Sequence, residues 1–197
     1  GLEARRVDLI VFVRDVVEID GVERVDINQG FAERFNGLAA IDVAAEGGGI
    51  NISIFSARAR PRPIAIAMME RHPLGSQLFY PLQDEPWLVV VCENPNDLES
   101  YRAFRANGRQ GVNYARNVWH HPLLVLESNQ RFIVVDRAGP DQRRAGAGGD
   151  AVEVGLQFLV EAHERGLEIG ADPEAHNHER LAGAGGGVKV LDARDFP

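Results

Sequence analysis

The densest run of reactive side chains is Glu70-Arg71-His72-Pro73-Leu74-Gly75-Ser76-Gln77, which follows the apolar stretch Ile64 to Met69. That stretch favours an extended strand. Side chains alternate faces along a strand, so Glu70 and His72 point the same way and Arg71 the other. Pro73 and Gly75 then favour a turn that returns Gln77 beside His72 on an antiparallel neighbour. A carboxylate, an imidazole and an amide converging on one face make a general acid–base site or a divalent-metal site. A second run, Asn113-Tyr114-Ala115-Arg116-Asn117-Val118-Trp119-His120-His121-Pro122, leads into Leu123 to Leu126. Adjacent histidines on a strand face opposite ways, so at most one of His120 and His121 looks into the same cavity as His72, and His120 is the expected one. A histidine alone is most often a structural hydrogen-bonding residue. Three of the six histidines within two polar, turn-flanked motifs shift the balance toward chemistry.

Scarcity narrows that chemistry. The chain has no Thr, five Ser, one Cys and one Lys, Lys189, beside 21 − 1 = 20 Arg. A Schiff base or a phosphate-cradling GxxxxGK loop needs a Lys at a strand end or helix start, whereas Lys189 follows a Gly-rich stretch; neither pyridoxal phosphate nor nucleotide is expected. Gly146 to Ala151 spells a dinucleotide fingerprint, but about ten residues separate it from the preceding strand, the wrong context for that motif. Cys92 has no internal disulfide partner and lies in the apolar run Trp87 to Cys92, so it reads as core filler in a reducing, cytoplasmic setting. No apolar run approaches the roughly 18 to 20 residues of a membrane span. The net charge of −8, with Arg dispersed among carboxylates, argues against nucleic acid.

The elements that must position these residues are mostly strands. From Val7 to about Asp136 come short β-favouring runs: Leu9 to Val13, Ile50 to Phe55, Ile64 to Met69, Leu88 to Cys92, Leu123 to Leu126 and Phe132 to Val135. Gly, Pro, Asn or Asp bounds each of them. This predicts a closed or sandwiched antiparallel sheet. One internal helix is predicted over Asp97 to Asn107, where Leu98, Tyr101 and Phe104 or Arg105 share a face and Gly108 stands at the end. After Gly139 the texture changes, with 11 of the 21 glycines in the last 59 residues. Helical spacing there predicts a helix over Ala151 to Arg165, a second from Asp172 and Pro173, and a flexible connector at Gly183 to Gly187. His176 and His178, two apart, diverge on a helix and read as solvated. The expected organisation is a β-domain over 1–140 and a partly helical or disordered extension over 141–197.

Several motifs together resemble the ureidoglycolate lyase family of allantoin breakdown: Ile27-Asn28-Gln29-Gly30 with Arg34-Phe35; Glu70 to Gln77; Arg102-Ala103-Phe104 with Asn107 to Tyr114; Asn117 to Leu123; and Val135-Asp136-Arg137. Order and spacing match over roughly residues 24 to 140. The resemblance implies a cupin-like β-barrel, a homodimer, that converts ureidoglycolate to glyoxylate and urea in purine-nitrogen recovery. It also implies a divalent metal, nickel in particular. Glu70, His72, Gln77 and His120 stand where cupins carry His, His, Glu and His, which makes His72, Gln77 and His120 the conditional metal ligands. One departure is Ser56-Ala57, where the family tends to have Arg-Ala.

The elimination removes a proton from the carbinol hydroxyl and delivers one to the departing nitrogen, so no covalent nucleophile is needed. The expected catalytic residues are Glu70, His72 and His120, with His72 or His120 as the base, held by Glu70, and the other histidine or a metal-bound water as the acid. An Arg would hold the substrate carboxylate by a two-pronged hydrogen bond; Arg34, Arg71 and Arg137 are the candidates. Asn28 and Asn113 are candidates for the ureido group, and Gln77 also faces the substrate. Two other readings stand beside this one: a different cupin-type enzyme, either an amidohydrolase releasing ammonia or a metal-dependent oxygenase, and a non-catalytic small-acid-binding barrel.

Overall fold

The computed structural model describes residues 15–17, 19, 21–139, 150–163, 166–171 and 190–192. Three antiparallel assemblies make up the described chain. The first sheet has five strands in the order β1 (Asp15–Val17), β9 (Gly111–Tyr114), β6 (Gln77–Pro81), β12 (Gln130–Ala138), β4 (Gly49–Ala57). The second has eight: β14 (Gly166–Ala171), β13 (Asp150–His163), β5 (Ile64–Arg71), β10 (Trp119–His120), β7 (Trp87–Cys92), β8 (Arg102–Ala106) and β15 (Val190–Asp192), with β11 (Leu124–Val125) also on β7. A ribbon of β2 (Arg24–Ile27) and β3 (Ala32–Phe35) stands apart from both. Only β15 on β8 is parallel among the described pairs.

The patterning explains the layering. On β12, Phe132 and Val134 alternate with less buried neighbours and face β7, where Trp87, Val89 and Val91 are almost wholly shielded. With Phe79, Val112, Tyr114, Phe104, Ala106 and Val125 they form the core between the sheets, and Trp87 meets Phe132 edge to face with ring centroids 5.0 Å apart. The other face of β7, Leu88, Val90 and Cys92, joins a second cluster with Ile64, Ile66, Met69, Tyr101, Ala103 and Leu124. Burial on both faces is why β7 is an unbroken apolar run.

Three expectations need correction. No closed barrel forms among the described residues: β1 and β4 are edges of the five-stranded sheet, and the two large sheets share no ladder. The internal helix over Asp97 to Asn107 is instead one 3-10 turn, Leu98–Ser100, capped by Asp97 accepting from the Glu99 amide, followed by strand β8. Packing on both sides decides this, since Tyr101 and Ala103 enter one cluster while Phe104 and Ala106 enter the other, the two-residue alternation of a strand. Asp150–His163 is a strand rather than a helix, hydrogen-bonded between β5 and β14, where it covers an edge of β5 that would otherwise be open. The expected strand Leu9 to Val13, the Gly146 to Gly149 glycines, the helix from Asp172, His176, His178 and the Gly183 to Gly187 connector lie outside the described residues.

Candidate active site

The site forms where β5 and β7 are bridged by the two-residue strand β10. His120 pairs with Glu70 on one side and Val91 on the other. Ile64 and Ile66 share a cluster with Met69, so the facing of β5 switches between 66 and 69; Glu70 and His72 thereby point to the inter-sheet side and Arg71 to the other. From the opposite sheet β6 brings Gln77, and Tyr114 is its partner on β9.

His120 is held on every side. Its Nδ1 lies 2.9 Å from the Val118 carbonyl, its Nε2 3.2 Å from Gln77 Oε1 and 3.6 Å from Glu70 Oε1. The Tyr114 ring stacks on it, centroids 4.0 Å apart and planes 9° from parallel. A carbonyl only accepts, so Nδ1 carries the proton and a neutral ring keeps its lone pair on Nε2. Gln77 serves both charge states: Oε1 accepts from an imidazolium, and the turned amide donates to the neutral ring. The His72 ring lies 5.3 Å from His120, and its Nε2 is buried without a hydrogen-bond partner.

Burial pushes the Glu70 carboxyl up, but its hydrogen bond to His120 and the charges of His120, His72 and His121 outweigh this and leave it below its usual value. Burial and the neighbouring His120 lower His72, against the raising influence of Glu70 and Asp136. Glu70 is therefore the anion and His72 a neutral ring at pH 7. One donor atom each from Glu70, His72 and His120 falls within 4.8 Å of the others.

Other expected site residues are placed elsewhere. Arg71 sits over the Trp119 ring at 4.6 Å and pairs with Asp150 at 3.2 Å, on the outward side of β5. Arg137 is buried and donates to the Ala45 and Glu46 carbonyls. Arg34 is exposed on the separate ribbon, and Asn28 sits in a turn there with φ 53°. Asn113 is buried and donates to the Ala40 carbonyl. His121 faces away from His120, with Nδ1 on the Pro122 carbonyl at 2.7 Å, as alternation requires. Ser56 is exposed on β4, on the side opposite Phe55. Two residues at the site were passed over in sequence: Tyr114, and Asp136, which shares the core-facing parity of Phe132 and Val134. That parity was available in the sequence.

An antiparallel β-sandwich holding a carboxylate, two imidazoles and an amide between its sheets is built as a small-molecule enzyme of the acid–base or metal-assisted kind. Residues 11–154 match the family model described as ureidoglycolate lyase, and the chain belongs to that family. It is similar to ureidoglycolate lyase 1 of Rhizobium meliloti (strain 1021), 55% identical over 126 residues that cover 64% of this chain and 74% of the relative. It is also similar to the ureidoglycolate lyase of Burkholderia mallei (strain NCTC 10229), 50% identical over 126 residues, 64% of this chain and 74% of the relative. That of Pseudomonas syringae pv. syringae (strain B728a) is 50% identical over 127 residues, 64% and 75% respectively.

Proposed function

We propose that this chain is a ureidoglycolate lyase, a carbon–nitrogen lyase that eliminates urea from ureidoglycolate to leave glyoxylate. The observation that carries the reading is the His120 imidazole, fixed at Nδ1 and presenting Nε2 beside Glu70 within a family member. In the step, Nε2 takes the carbinol O–H proton, the oxygen lone pair forms the carbonyl, and the C–N bond breaks with its electrons on nitrogen. The imidazolium, steadied by the Glu70 carboxylate and Gln77 Oε1, returns that proton to the departing nitrogen and urea leaves. Charge is redistributed without a covalent intermediate, in keeping with a chain poor in Ser, Thr and Lys.

The same donors fit a divalent ion. Two imidazoles and a carboxylate suit nickel or a neighbour in the series, and the unpartnered His72 Nε2 is the kind of buried atom such an ion would satisfy. Glu70, His72 and His120 would hold it, with the neutral Gln77 alongside; when bound it would supply Lewis-acid stabilisation of the developing alkoxide oxygen.

We take the sandwich as cupin-like, with residues 1–140 as the catalytic unit and β13 of the 141–197 extension as its edge cover. We place it in the cytoplasm, which suits the unpaired, buried Cys92. No described helix is long and apolar enough to cross a membrane. A homodimer is supported by β4, an edge strand whose outward Ile50, Ile52 and Ile54 are 62%, 70% and 63% exposed. Three isoleucines at every second position match themselves across a two-fold axis.

Incubation with ureidoglycolate tests the function: urea and glyoxylate in equal amounts support the lyase, ammonia supports an amidohydrolase, and binding without turnover supports a non-catalytic barrel.

A further inference from the structure

Neither asparagine first considered for the ureido group reaches the cluster, so the recognition of that group must come from elsewhere. The strand registers supply a candidate. Asn51 of β4 is opposite Asp136 of β12. Leu78 of β6 is opposite Val135, so the next rung sets Gln77 beside Asp136. Gln77 in turn is opposite Tyr114 of β9. One polar row, Asn51-Asp136-Gln77-Tyr114, thus crosses four strands of the five-stranded sheet, from an exposed edge to the ring stacked on His120.

Asp136 is the unexplained member. It is 9% exposed and its Oδ1 accepts from Asn51 Nδ2 at 2.8 Å, the only hydrogen bond this carboxylate makes among the described residues. Its charge reaches His72. Its other oxygen accepts from no described donor, so a bound molecule can supply one. A ureido group carries its donors on the two nitrogens that flank its carbonyl and has no charge, which suits a carboxylate acceptor; a substrate carboxylate would be repelled.

We propose that Asp136, oriented by Asn51, is the subsite for the N–H donors of a ureido or carbamoyl group and sets the substrate with its own carboxylate pointing away from β12. This rests on the lyase reading for the substrate but concerns binding alone. The row then orders the reaction: Asp136 holds the urea half near His72, while Gln77 and Tyr114 hold His120 at the carbinol.

The test is calorimetric binding of N-carbamoylglycine, which keeps the ureido and carboxylate groups but lacks the hydroxyl and so cannot undergo elimination. N-acetylglycine, with a methyl in place of the terminal amino group and one N–H kept, is the control. The parent protein should bind the first more tightly than the second. Asp136→Asn should raise the Kd for N-carbamoylglycine at least tenfold, of the order expected for a lost charged hydrogen bond, and raise that of N-acetylglycine, which keeps one N–H, by less. Asn51→Leu, at the exposed end of the row, should weaken the first ligand several-fold and serves if Asp136→Asn unfolds the chain. Equal binding of both ligands by the parent, undiminished N-carbamoylglycine binding in the variants, or equal loss of both ligands would overturn the subsite. Urea release by the parent is measured in parallel. Selective binding without turnover rejects the lyase reading and keeps the subsite; turnover without selectivity does the reverse.

Discussion

At the residue scale the protein depends on which side chains are prevented from reaching water and which are left with an open atom. Cys92 illustrates the first. Burial pushes its thiol up to about 12, with the Tyr101 hydrogen bond acting in the opposite sense. At pH 8 it should resist iodoacetamide in the folded protein and react once guanidinium unfolds the chain. Because the folded value exceeds the unfolded one near 9, the neutral thiol adds no pH dependence below 9, and stability declines as pH rises from 9 through 12. His72 illustrates the second. If its unpartnered Nε2 is an ion ligand, nickel should raise the melting temperature of the parent and leave that of His72→Ala unmoved, a readout independent of turnover. That Glu70, His72, Gln77 and His120 converge was legible in the sequence, because side chains beside strands and turns follow alternation. Arg71 and Arg137 each follow the inward residues Glu70 and Asp136 in the alternation, and each is held elsewhere, Arg71 by Trp119 and Asp150 and Arg137 by the Ala45 and Glu46 carbonyls.

At the scale of elements, the strands stand out in sequence wherever one face or both are apolar. Ile64 to Met69, Leu88 to Cys92 and Phe132 to Val135 all fall inside observed strands. The helix over Asp97 to Asn107 failed because three-residue spacing of Leu98, Tyr101 and Phe104 coexists with two-residue alternation, and the two cores on either side of β8 select the latter. Asp150–His163 has helix-like spacing too, and pairing with β5 and β14 prevails over it. The inter-sheet core sets the stability of the site's scaffold. Phe132 is fully buried, packs on Trp87, and sits on the strand that carries Asp136. Phe132→Ala should cost about 3 to 5 kcal/mol in chemical denaturation. Arg71→Ala should cost less than about 1 kcal/mol, since its partner Asp150 is well exposed and solvent screens the pair.

For the whole molecule, sheet pairing and site assembly are one event: His120 joins β5 to β7, while Gln77 and Tyr114 arrive from the facing sheet. No local stretch of sequence contains this arrangement, which explains why the Tyr114 stack and the Asp136 row stayed hidden until the registers were known. The exposed isoleucines of β4 act at this scale as well. Ile52→Lys should convert a dimer to monomers in sedimentation velocity while the chain stays folded; an unchanged sedimentation coefficient would remove β4 from the interface. In the proposed reaction His120 moves the proton that releases urea. The most direct measurement is kcat for equimolar urea and glyoxylate formation at saturating ureidoglycolate, in the parent and in His120→Gln, with folding checked by circular dichroism. A fall of at least about a hundredfold with the fold intact is expected; turnover within twofold of the parent would rule out His120 as the proton carrier.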